Sequence, residues 1–96
     1  ISMSANINLF SIFGNQIITR NAMSRFFDEL SRTSNKEIVL DFDKIEFISR
    51  SCADEYIRKK VAYNKKSLKE INMGPNVKAM FNLAYHQYKR NMGLPA

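Results

Sequence analysis

The sequence predicts a small α/β domain with element order β-β-α-β-α-β-α, built on a four-stranded mixed sheet with helices. Three observations carry this. Ile38-Val39-Leu40-Asp41-Phe42 is a short apolar run with little alternation, the pattern of a strand covered on both faces inside a sheet. Three later or flanking segments repeat their apolar residues at helical spacing. Gly14-Asn15 and Gly74-Pro75-Asn76 punctuate the chain where elements must turn.

In order, Ile7 to Phe13 partly alternates and reads as a strand, and Gln16 to Thr19 as a second one after the Gly14-Asn15 turn, so the two form a hairpin. Asn21 or Thr19 can cap a helix reaching about Arg32, with Met23, Phe26, Phe27 and Leu30 at i, i+3, i+4, i+7 on one face. Thr33 to Lys36 is a polar loop. The strand 38–42 follows, with Val39, Leu40 and Phe42 expected to be buried. Asp43-Lys44 breaks it as a turn, and Ile45, Phe47 and Ile48 lead on with their apolar side inward.

At Ser51 the spacing changes to 3.6. Ser51 reads as an N-cap, Asp54 as the acidic partner of a capping box, and Glu55 as a further charge favourable to the helix dipole. The helix runs to about Tyr63 with Cys52, Ala53, Tyr56, Ile57 and Val61 inward and Arg58, Lys59 and Lys60 outward. Residues 67–72 form a modest strand. Asn76 then caps a last helix to about Asn91, with Val77, Met80, Phe81, Ala84, Tyr85 and Tyr88 on its apolar face and Gly93 and Pro95 beyond its end.

Ninety-six residues form a single domain, 1–96, within which residues 1–5 are expected to be flexible or foreign to the fold. No apolar run approaches the roughly 18 residues of a membrane span. The first ten residues lack the basic start and cleavage site of a signal peptide, and the one cysteine suits a reducing compartment, so a cytoplasmic location is expected. The net charge of +6 is uneven: residues 1–48 hold five basic and six acidic side chains, residues 49–96 ten and three. A basic half attracts an acidic protein, nucleic acid or anionic lipid, and charge alone does not choose among them.

The run Leu40-Asp41-Phe42, Ile45, Phe47-Ile48-Ser49, then Ser51-x-x-Asp54-Glu55 resembles the central motif of STAS domains, the sulphate-transporter and anti-sigma-factor-antagonist family. It is most similar to small prokaryotic STAS-like members. The similarity extends more weakly to Gly14–Arg20 and to Asn76-Val77-Lys78-Ala79-Met80. The resemblance implies a non-catalytic module that binds a regulatory protein, a histidine-kinase-like ATPase being the first class to name, through the 47–60 surface. It marks Phe47, Ser49, Arg50, Ser51, Asp54 and Glu55 as partner-binding residues and Ser51 as a possible phosphoacceptor. A phosphate at a helix start would meet free N–H groups. Ser51 acting as a cap alone is the competing reading, and Cys52-Ala53 stands where the family has a small Gly-Leu or Gly-Ile pair.

No enzyme signature is present, and no cofactor or metal ligand set is expected. His86 sits late in the last helix without a nucleophile at motif spacing. Cys52 is either a thiolate stabilised at a helix start or a small packed residue. Asp41, Asp43 and Glu46 read as turn and cap residues. Arg58, Lys59, Lys60, Lys65, Lys66 and Lys69 form a basic patch that is either a solvated face or the contact surface of the alternative function, a nucleic-acid-associated regulator.

Overall fold

A computed structural model describes residues 4–33, 37–62 and 67–93. It is an α/β fold, with β1 Ser4–Asn8, α1 Leu9–Phe13, β2 Gln16–Ile17, α2 Arg20–Ser31, β3 Glu37–Asp41, β4 Phe47–Ile48, α3 Arg50–Ala62, β5 Ser67–Ile71 and α4 Pro75–Asn91. β3 lies between β1 and β5 in a three-stranded sheet, and β2 pairs with β4 in a separate two-stranded one. Every pairing is parallel. The single four-stranded mixed sheet expected from the sequence is therefore replaced by two parallel sheets.

The expected opening hairpin is absent for a local reason. Leu9-Phe10-Ser11-Ile12-Phe13 has strand-forming residues, but it is bracketed by helix punctuation. Asn8 accepts a hydrogen bond from the Ser11 amide at 3.0 Å, and the Ser11 hydroxyl donates back to the Asn8 carbonyl at 2.7 Å. At the other end Gly14, at φ 76°, donates its N–H to Phe10 O at 2.9 Å. Cap and stop together overrule the β propensity of five residues. The first strand lies earlier, and includes Ser4 and Ala5, which the sequence reading left outside the fold.

The central strand stands where the sequence puts it, with Ile38, Leu40 and Phe42 fully buried. Val39 is half-buried, not enclosed, because the strand alternates after all. Cross-strand register aligns Val39 with Asn6 and Lys69, two exposed polar residues, so one face of the sheet is core and the other is largely polar.

The three long helices begin at Arg20, Arg50 and Pro75, close to their expected starts. Met23, Phe26, Phe27 and Leu30 of α2, Cys52, Ala53, Tyr56 and Ile57 of α3, and Val77, Phe81 and Ala84 of α4 join one core with β3. Aromatic contacts run through it from Phe13 to Phe26, Phe27, Tyr56 and Phe81, the first three edge-on and the last tilted, with centroids 4.9–5.9 Å apart. Val61 and Tyr85, expected inward, are exposed and line an open cleft between α3 and α4. Asn76 is not the cap of α4. Gly74 takes that position with Pro75 at the first helical turn, where a missing N–H costs nothing.

Candidate interaction site at two adjoining helix starts

Ile17 pairs with Ile48, and the strands they end run straight into α2 and α3, so two helices start side by side. Thr19 caps α2, its hydroxyl accepting from the Ala22 amide at 3.3 Å. Ser49, not Ser51, caps α3. Its Oγ accepts the Cys52 N–H at 3.2 Å, its carbonyl accepts the Ala53 N–H at 3.0 Å, and its own N–H donates to Ile17 O at 2.8 Å. The Ser49 hydroxyl also donates to Ile18 O at 2.6 Å, which ties one helix start to the strand leading into the other.

The residues placed around Ser51 by sequence change roles accordingly. Ser51 lies on the exposed first turn, 3.2 Å from Ser49 Oγ, and since the Ser49 proton goes to Ile18, Ser51 is the donor in that contact. The capping box does not form, because Cys52 occupies the third helical position. Asp54 pairs instead with Arg50 across one turn at 3.1 Å. Glu55 is 5% exposed and faces inward among cations, so it organises the helix and does not offer itself to a partner. Its neighbours are Arg58, Arg20 at 3.9 Å and Lys59 at 3.9 Å.

Phe47, expected to turn inward, is 43% exposed, and Ile18 on the adjoining strand end is 54% exposed. The two-residue strand alternates, so Ile48 alone fills the core and Phe47 points out. Below Phe47, Asn15 fixes the turn: its carbonyl accepts from the Glu46 and Phe47 amides at 2.8 and 3.3 Å, and its side chain donates to Glu46 at 3.2 Å. The result is an exposed pair of apolar residues, Phe47 and Ile18, followed by the polar residues Arg50, Ser51 and Asp54 at the start of α3.

Cys52 is completely buried, and burial pushes its thiol above the ordinary value, with Ser49 and Arg20 opposing and Glu55 adding to the effect. A neutral, packed thiol follows, and the thiolate reading of Cys52 does not hold. Asp41 accepts from the Asn72 side chain at 3.0 Å and the Asp43 amide at 2.9 Å, which lower its pKa in that order. It is the last residue of β3, and its side chain holds the turn that follows. His86 is exposed on α4. Among the described residues no group of three His, Cys, Asp or Glu is placed to hold a metal ion.

Among the described residues of the basic patch, most cations have acidic partners. Arg58 and Lys59 turn to Glu55, Lys60 binds Glu70 at 2.7 Å, and Lys69 lies on the polar face of the sheet with Val39. Lys65 and Lys66 lie outside the described residues. Arg20 was missed by the sequence reading, since nothing local links it to Glu55, thirty-five positions away. Ser49 was passed over because two serines two residues apart fit a cap equally well. Searches against protein-family models, curated proteins and solved structures find no match to this chain.

Proposed function

We propose that the chain is a non-catalytic protein–protein interaction module of STAS type, acting in cytoplasmic regulation by docking a partner at the junction of β4 and α3. The observation that carries this reading is Phe47, a large aromatic side chain left exposed on β4, with Ile18 exposed after the paired strand β2 and the polar residues Arg50, Ser51 and Asp54 on the first turns of the helix that follows. An exposed aromatic anchor with a polar rim is the arrangement that concentrates binding energy in protein interfaces. The partner class, a histidine-kinase-like ATPase or similar regulator, comes from the resemblance of the central motif.

Ser51 is the phosphoacceptor in this reading. Its hydroxyl is exposed and the cap is Ser49, so a phosphate can be added without undoing the helix start. The added charge of about −2 would draw Arg50 away from Asp54 and alter the rim. The nucleic-acid reading ranks second, because Arg58, Lys59 and Lys60 already serve Glu55 and Glu70.

The test is co-purification of a tagged chain from its native cytoplasm, comparing wild type with Phe47→Ala and Ser51→Asp. Wild type should retain a protein that Phe47→Ala loses by fivefold or more, the consequence of removing an anchor worth at least about 1 kcal/mol. Ser51→Asp should fold normally and release the same protein. Equal retention by Phe47→Ala, or capture of nucleic acid in place of protein, would overturn the proposal.

A further inference from the structure

Glu55 is a single carboxylate, 7% exposed in its side chain, with three cations about it. Arg58 donates to Oε1, Arg20 Nε stands 3.9 Å from the same oxygen, and Lys59 Nζ is 3.9 Å from Oε2. Arg20 is beyond hydrogen-bond length, so its guanidinium donors stay available to a ligand. Arg58 uses one of its five donors on Glu55.

Beside this cluster a cleft of about 220 Å³ opens between α3, the start of α2 and the end of α4. Arg20 and Arg58 wall it on one side. Tyr88 and Asn91 wall it on the other, and Asp54 also lines it, its charge met by Arg50 at 3.1 Å. The α4 wall is oriented: Arg90 donates to Gln87 Oε1 at 3.2 Å, and Gln87 Nε2 donates to Asn91 Oδ1 at 3.0 Å. With its oxygen occupied, Asn91 has an NH₂ to give. The charged side chains that line the cleft are Arg20 and Arg58 against Asp54, and Arg50 pairs with Asp54 from outside it.

We propose that this cleft binds a small phosphate-type oxyanion, either free phosphate or a small phosphomonoester. Two guanidiniums suit an oxyanion with several acceptor atoms, and a phenol and an amide supply neutral donors opposite. The volume is below the roughly 300–1,000 Å³ of pockets that enclose drug-sized ligands, so any organic part is short. The site shares the Arg50–Asp54 pair with the Phe47 surface but does not depend on the interaction reading.

The experiment is a titration of the ¹⁵N-labelled chain, followed by NMR at constant ionic strength and at a mildly alkaline pH where phosphate is a dianion. Inorganic phosphate, glycerol phosphate and acetate are the probes. Either phosphate should give saturable shifts at the Arg20 and Arg58 side-chain N–H signals and at the Tyr88 ring. Tighter binding of glycerol phosphate would assign the phosphomonoester, and the reverse would assign free phosphate. Arg58→Gln should weaken binding by about tenfold or more. Tyr88→Phe, which leaves the Glu55 cluster intact, should weaken it severalfold without moving the unfolding midpoint. Shifts that never saturate or that appear equally at Arg32 and Lys78, acetate binding as tightly as phosphate, or unchanged affinity in both variants would overturn the assignment.

Discussion

The buried phenol of Tyr56 donates its hydrogen bond to the carboxylate of Glu70, joining the middle of α3 to the edge strand β5. Lys60 binds the same Glu70 oxygen at 2.7 Å, so the carboxylate keeps a cationic partner if the phenol is removed. Burial, the Glu70 charge and this hydrogen bond, in that order, raise the Tyr56 pKa far above its ordinary value of about 10.

That shift predicts alkaline instability with a defined sign. A folded-state pKa above the unfolded one means that the native chain holds its proton where the unfolded chain has lost it. The contribution is complete below pH 10 and declines as pH rises beyond it, by about 1.4 kcal/mol per pH unit from this one group. Urea unfolding of wild type and Tyr56→Phe at neutral and alkaline pH checks this. Tyr56→Phe should cost about 1 kcal/mol at neutral pH, and the gap should close and then reverse well above pH 10. A constant gap would contradict the assignment.

The two serines at the start of α3 should separate cleanly. Ser49→Ala removes the cap and the bond to Ile18 and is expected to cost about 1–2 kcal/mol. Ser51→Ala, an exposed change, should stay within about 0.5 kcal/mol. Denaturation midpoints of the pair measure this, and the reverse order would restore Ser51 as the cap.

The two sides of β3 should differ as sharply. Leu40 is completely buried, and Leu40→Ala should cost about 2–5 kcal/mol. Val39, aligned with Asn6 and Lys69, should accept Thr for less than about 1 kcal/mol. Comparable losses from both would mean that the polar face is covered.

The legible parts of the sequence were those with enough residues to show a period. Met23, Phe26, Phe27 and Leu30 define α2, and Val77, Phe81 and Ala84 define α4. Ile38 to Phe42 marked the central strand, although its true alternation was hidden by Val39, an apolar residue on the polar side. β2 and β4 have two residues each and no period to read, which is why the second sheet went unseen. The outward turn of Phe47 follows from that same pairing. The cluster at Glu55 depends on Arg20, brought near by the parallel arrangement of β2 and β4, and no local pattern encodes it.

Parallel pairing throughout also sets how the chain must fold. Ser4 meets Glu37, Gln16 meets Phe47 and Glu37 meets Ser67, so each strand contact spans about thirty residues of sequence. No hairpin among the described residues offers a cheap first step, and each closure costs loop entropy before it returns any contact. During synthesis β1 has no sheet partner until the segment through β3 has been made, and β3 gains its second neighbour only when β5 follows, about thirty residues later.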